Sequence, residues 1–174
     1  MSRELLIMRH AKSDWDGGGA DFDRPLTRRG KADAPKVGAW LAQEGLVPDH
    51  VVSSPARRAH QTALRVCKAL GIPKGQIDWD PRVFDADLDG LLEALGCCPP
   101  DAPRVLLIGH NPGLQTLLLH LADAAPVERE DGKLLTTAAL ARLTMPEHWT
   151  SLPADCAQLI SITRSRDLQG TAPQ

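Results

Sequence analysis

Leu5-Leu6-Ile7-Met8 is a continuous apolar run, the pattern of a strand buried on both faces rather than the alternation of a half-exposed one. Val51-Val52 begins a shorter run of the same kind, and Val105-Leu106-Leu107-Ile108 is a third. Ala138 to Leu143 and Leu159 to Ile162 are weaker strand candidates. Between these runs the apolar residues recur every three or four positions, as on one face of a helix. Thr27 is an N-cap for a helix burying Ala34, Val37, Trp40 and Leu41, with Pro35 predicting a kink or a late start. Ser54-Pro55 reads as a cap followed by Pro at the first helical position, opening a helix with Ala59, Ala63, Val66 and Leu70 that Gly71 ends. Asn111-Pro112 repeats that signal ahead of Leu114, Leu117, Leu118 and Leu121, and a short helix is predicted from about Asp87 to Leu95. Strands alternating with helices predict an α/β domain with a mostly parallel sheet and helices on both faces. No repeat or internal linker divides the chain. Residues 1–167 therefore read as a single domain, with Gly17-Gly18-Gly19 as a flexible loop and Leu168 to Gln174 as a loose tail.

With 174 residues the chain is long enough for one substantial core and too short for two ordinary domains. Its formal net charge of −2 gives no reason to expect general affinity for nucleic acid or anionic membrane. No apolar run reaches bilayer-spanning length. Met1-Ser2-Arg3-Glu4 leads into the first strand without a signal-peptide pattern, so a soluble cytoplasmic protein is expected. Of the four cysteines, Cys67, Cys97, Cys98 and Cys156 have neither disulfide-framework nor zinc-site spacing and read as incidental or buried thiols. The absence of Tyr and the presence of only two Phe leave aliphatic residues and Trp to build the core.

The chemistry concentrates just after the strands. Arg9-His10 follows the first run, Ser53-Ser54-Pro55-Ala56-Arg57-Arg58 the second, and Gly109-His110-Asn111-Pro112 the third. Sites in open α/β sheets form outside the carboxyl ends of the strands. Three segments would therefore bring two His and up to three Arg to one sheet edge, two of them at helix openings whose N–H groups favour an anion. This inventory suits a phosphoryl group. Guanidinium groups fork onto phosphate oxygens, a neutral imidazole can attack phosphorus, and a second can donate to the charge-bearing oxygens.

Leu6-Ile7-Met8-Arg9-His10-Ala11 resembles the signature of the histidine phosphatase superfamily, which includes the cofactor-dependent phosphoglycerate mutases. Ser54-Pro55-Ala56-Arg57-Arg58-Ala59-His60-Gln61-Thr62-Ala63 is similar to its second motif and Gly109-His110-Asn111-Pro112-Gly113 to its third. Asp23-Arg24-Pro25-Leu26-Thr27-Arg28-Arg29-Gly30 resembles the small SixA-type phosphohistidine phosphatases in particular. The resemblance spans nearly the whole chain and implies a three-layer α/β/α sandwich of the phosphoglycerate mutase-like kind. It implies His10 as nucleophile, Arg9 and Arg58 as phosphate clamps and His110 as second catalytic histidine. Arg9, Arg58, His110 and Asn111 become the substrate-binding set. Arg57 falls on a less constrained position. Ala11 replaces the Gly that many members carry after the nucleophile, a small change found in the SixA-like branch.

Many superfamily members also carry an acid after the second motif to protonate an alkoxide. Asp85, Asp87 and Asp89 lie in that region without a motif to select one. Asp85 is the candidate general acid, against the simpler reading of a solvated loop with Asp87 as a helix N-cap. His50, His60, His120 and His148 read as surface, helix-end or loop-anchoring residues. No HExxH or carboxylate–His cluster points to a metal, and no cofactor is expected. The leading function is hydrolysis of phosphohistidine in a protein, with a phosphoprotein such as a histidine-phosphotransfer protein as partner. The alternatives are hydrolysis of a small phosphorylated metabolite such as a sugar phosphate, and a non-catalytic phosphate- or phosphopeptide-binding module on the same fold.

Overall fold

The computed structural model describes residues 3–15 and 17–168. Its centre is a six-stranded sheet in the order β3-β2-β4-β1-β5-β6, formed by β1 (Arg3–Arg9), β2 (His50–Ser53), β3 (Ile77–Trp79), β4 (Arg104–Gly109), β5 (Leu140–Met145) and β6 (Gln158–Thr163). β3, β2, β4 and β1 are mutually parallel, whereas β5 and β6 add antiparallel pairings beyond β1. β1 and β4 lie side by side at the centre, in register from Glu4 opposite Arg104 to Arg9 opposite Gly109. That position explains their unbroken apolar runs. Leu5 and Ile7 join one core layer and Leu6 and Met8 the other, on opposite faces of the sheet.

Helices α1 (Arg28–Gln43) and α2 (Arg57–Leu70) cover the Leu6/Met8 face, and α3 (Leu88–Gly96) and α4 (Gly113–Leu121) cover the Leu5/Ile7 face. The result is the expected three-layer α/β/α sandwich. Thr27 caps α1 by accepting from the Gly30 N–H at 3.1 Å, Asp87 caps α3 through the Gly90 N–H at 2.9 Å, and Gly71 ends α2 at φ 75°. α1 begins directly at Arg28 and carries Pro35 inside it, so the proline does not delay its start.

Two helix openings differ from expectation. α2 starts at Arg57 and α4 at Gly113, because Ser54, Pro55, Asn111 and Pro112 remain in the strand–helix turns. β3 escapes sequence reading because it has three residues, only one of them buried. Leu168 does not belong to a loose end: it closes a short 3-10 turn, Ser165–Leu168, and packs against the core. The rest of the expected tail, residues 169–174, lies outside the described residues. No helix among the described residues is long and apolar enough to cross a membrane.

Candidate active site

The three strand-end segments meet as expected at the carboxyl edge of β1, β2 and β4. His10 leaves β1 with its backbone N–H held by the Gly109 carbonyl at 3.0 Å, and the Ala138 N–H caps the Arg9 and His10 carbonyls. α2 secures the same turn from the other side: Thr62 Oγ1 donates to the Arg58 carbonyl at 2.7 Å and accepts from the Ala11 N–H at 3.0 Å. Two glycines permit close approaches. A Cβ on Gly30 would collide with the Lys12 carbonyl, which pins the loop after His10 against α1. A Cβ on Gly113 would stand 2.7 Å from the Ala86 carbonyl oxygen, where the turn before α4 meets the segment carrying Phe84 and Asp85.

His10 and His110 face each other with ring centroids 5.1 Å apart. The Ala11 carbonyl lies 2.7 Å from His10 Nδ1, and a carbonyl can only accept, so Nδ1 carries the proton. Nε2 is then the lone-pair nitrogen of a neutral ring. Burial, followed by the neighbouring His110, Arg58 and Arg9, outweighs the Ala11 hydrogen bond and lowers the His10 pKa to about 3. The ring is neutral throughout the physiological range. Burial, and then Arg58, lowers His110 to about 4.

His110 Nε2 sits 2.7 Å from Ser54 Oγ. Ser54 Oγ also accepts from the Ala56 N–H at 3.2 Å, and no other acceptor for its hydroxyl hydrogen is seen among the described residues; with that hydrogen given to Nε2, the His110 proton sits on Nδ1. Ser54 is thus more than the helix cap its sequence suggests. It braces the second histidine through Nε2, and only the meeting of β2 with β4 reveals this.

Arg58 is buried, with Nη1 donating to the Asp21 carbonyl at 2.7 Å and Nη2 to Asp21 Oδ2 at 3.1 Å. Arg9 Nη1 donates to the Leu135 carbonyl at 3.1 Å. Buried polar atoms are normally paired. Yet Arg9 Nε, Arg58 Nε, His110 Nδ1 and Asn111 Oδ1, four of the seven buried side-chain N and O atoms without a hydrogen-bond partner among the described residues, surround this one site. Three of the four are donors, a set matched to an anion with several oxygens. Asn111 is the acceptor of the group, because its Nδ2 already donates to Gln115 Oε1 at 3.1 Å and the Leu135 carbonyl at 2.9 Å.

Two adjoining hollows of about 290 and 520 Å³ open here, sharing Trp15, Arg24, Arg58, His110 and Asn111. Arg9 and His10 floor the smaller; Phe84 and Asp85 border the larger. Asp85 is an exposed residue at φ 52°, and Asp87 is engaged as the α3 cap. Arg57, as its position in the second motif suggested, lies on the exposed face of α2, with a 3.5 Å contact to the Asp23 carbonyl. Arg24, Trp15 and Asp21 were not singled out by sequence reasoning, although Arg24 stands in the Asp23-Arg24-Pro25-Leu26 motif and could have been flagged there.

The other histidines lie elsewhere. His60 stacks on Trp79 at 4.2 Å, His120 Nε2 is 3.1 Å from the Leu152 carbonyl, and buried Trp149, next to His148, donates to the Ala102 carbonyl at 3.0 Å. The four cysteines are unpaired, and no group of three or more His, Cys, Asp or Glu among the described residues could hold a metal ion.

Comparison with known proteins gives a consistent picture. The sequence profile described as "Histidine phosphatase superfamily (branch 1)" matches residues 5–91. An uncharacterised protein of Mycobacterium tuberculosis is 33% identical over 158 residues, covering 88% of this chain and 96% of its own. Phosphohistidine phosphatase SixA of Escherichia coli is 28% identical over 146 residues, covering 83% and 86%. The solved structure of a protein given the name SixA, from Nakamurella multipartita, superposes with a TM-score of 0.78 at 29% identity, over 94% of this chain and 96% of that one.

Proposed function

The chain belongs to the histidine phosphatase superfamily and is a phosphatase, and on that premise we propose that it hydrolyses phosphohistidine in a protein by way of a phosphoryl group carried on His10. The observation that supports this most is the fixed tautomer of His10: with Nδ1–H donated to the Ala11 carbonyl, Nε2 is an unprotonated nucleophile at the floor of a pocket lined with arginines. In the first step Nε2 attacks phosphorus and the N–P bond of the substrate breaks; the leaving imidazole, already protonated from solvent on its other ring nitrogen, keeps the electron pair and departs neutral. Arg9, Arg58 and the Nδ1–H of His110 hold the three phosphoryl oxygens as charge shifts onto them. In the second step water attacks phosphorus, the His10 N–P bond breaks, and orthophosphate leaves. The water proton passes to solvent. With guanidinium groups already placed on the phosphoryl charge, no metal is required.

The leaving group favours phosphohistidine over an alkyl phosphate. A protonated imidazole leaves phosphorus readily, whereas an alkoxide needs a proton from a positioned acid, a contribution of typically ~10²–10⁴-fold. Asp85 borders only the outer hollow and is exposed. Asn111 Oδ1, buried and without a partner, supplies an acceptor for a donor such as an imidazole N–H on the leaving group. Resemblance to the SixA proteins supports the same substrate and a histidine-phosphotransfer protein as partner. The test is a side-by-side rate comparison of a histidine-phosphorylated protein, an aryl phosphate and sugar phosphates. Phosphohistidine should be turned over fastest. A sugar phosphate hydrolysed faster than phosphohistidine, with that rate lost in Asp85→Asn, would instead establish the small-ester reading.

A further inference from the structure

Resting on the reading that Arg58 grips the phosphoryl group, we propose that Asp21 is the positioning residue for that guanidinium, and that Arg24 acts on the reaction through Asp21. Arg58 reaches the site from the first turn of α2, and nothing on α2 itself holds its far end. Both of its terminal nitrogens are instead taken by a single residue of the 13–24 loop, Nη1 by the Asp21 carbonyl at 2.7 Å and Nη2 by Asp21 Oδ2 at 3.1 Å. Its Nε stays buried and unpartnered. The distal end of the fork is therefore fixed by Asp21, while the Nε side is left for the substrate.

Asp21 is held in turn. Its other carboxylate oxygen accepts from Arg24 Nε at 2.9 Å, and Arg24 Nη1 donates to Ser13 Oγ at 3.1 Å. The Arg24 guanidinium lies 3.6 Å from the centroid of the Trp15 ring, a contact of cation–π type. A chain of contacts thus runs from Trp15 through Arg24 and Asp21 to Arg58. The carboxylate bridges two cations, with Oδ1 on Arg24 and Oδ2 on Arg58, so each depends on the other for its alignment. Although desolvation opposes it, this pairing with Arg58 and Arg24 keeps the Asp21 carboxyl below its ordinary range. The Asp21 side chain is 56% exposed, so its attraction contributes little to stability. Alignment is what it supplies.

Positioning makes a prediction that stability does not. Orthovanadate, five-coordinate when bound, tests the fork in its reacting geometry, whereas orthophosphate tests only ground-state binding. In full-length Asp21→Ala, the inhibition constant for vanadate should rise by about tenfold, in step with the fall in kcat/KM on an aryl phosphate, because a small misplacement of a clamp weakens the transition state most. The constant for orthophosphate should change by less than about threefold and the melting temperature should hold. Arg24→Gln should give a smaller loss of the same kind, and in the Asp21→Ala background it should add nothing, since its path to Arg58 is already cut.

Unchanged or tighter vanadate binding in Asp21→Ala would overturn the proposal, the latter showing that the carboxylate competes with the substrate. An undiminished Arg24→Gln effect in the Asp21→Ala background would also overturn it, by showing that Arg24 acts directly. A wild-type protein that binds no vanadate would contradict the underlying assignment of the site, a result distinct from both.

Discussion

β1 carries charged side chains at both ends, and the two ends treat them differently. At its start, Glu4 accepts from Arg104 Nε at 2.8 Å and from Arg142 Nε at 2.7 Å, so one carboxylate is matched by cations from both neighbouring strands. Burial opposes ionisation of Glu4, but the two arginine hydrogen bonds prevail and hold its carboxyl below the ordinary range. At the other end, Arg9 and His10 meet Arg58 and His110 with no carboxylate among the four. Asp21 engages the outer side of Arg58, and three donors inside the cluster have no partner. Paired charge at one end makes a structural tie between strands. Unpaired donors around a neutral imidazole at the other make a place for an anion. Recurrent charge on a strand does not by itself mark a site, nor does one unpaired atom such as Arg3 Nε at the start of β1; several unpaired donors gathered around one hollow do.

Substitutions should separate the two ends. The largest effect is expected from His10→Ala, which removes the nucleophile and should lower turnover by at least about 10³-fold while the protein stays folded. Arg58→Ala should cost ~10²–10³ in rate, against less than about twofold for Arg57→Ala, whose guanidinium is exposed. Equal losses would mean that the clamp has been misplaced. Glu4→Gln and Arg104→Ala should show the reverse profile, with stability lowered by about 1–3 kcal/mol in denaturant titration and kcat essentially intact. Loss of activity in folded Glu4→Gln would break the distinction between a structural end and a chemical one.

Acid should separate the ends as well. The unfolded chain binds a proton at each histidine near pH 6.5, whereas folded His10 and His110 resist protonation down to about 3 and about 4. Between those limits the unfolded state holds more protons, so stability should fall as pH drops from 6.5 towards 4. The Glu4 end keeps its full contribution above its ordinary value of 4.5 and loses it only as pH falls from there through its depressed folded-state pKa. Stability measured from pH 7 to 4.5 should therefore have a slope that His10→Asn and His110→Asn flatten together and that Glu4→Gln preserves. The smallest effect is expected from Asp85→Asn, which should change the phosphohistidine rate by less than about twofold if imidazole leaves without help from a protein acid.

Much of this was legible in the sequence, and for physical reasons. Leu5 to Met8 and Val105 to Ile108 are apolar without interruption because β1 and β4 are buried on both faces, so their carboxyl ends, and hence the site, could be found by reading one residue further. Thr27, Gly71 and Asp87 announce helix ends because cap geometry is local. α2 and α4 start later than their sequences predict, at Arg57 and Gly113. Ser54 and Asn111 have the chemistry of caps, but their side chains serve a neighbouring strand and a distant loop, through His110 and the Leu135 carbonyl. Asp21 illustrates the limit best. Its partner is 37 residues away, no periodicity connects them, and only the packing of the 13–24 loop against α2 brings the carboxylate to Arg58.

The central claim is that the phosphoryl group passes through Nε2 of His10, and the most direct measurement is the chemical structure of the enzyme caught in turnover. Rapid quenching into base, followed by phosphorus–proton correlation NMR of the isolated peptide, should show one phosphate on the His10 ring, attached at Nε2, labile to acid and absent from His10→Ala. A phosphoryl group on His10 Nδ1 or on His110, or an adduct that persists in His10→Ala, would contradict the account.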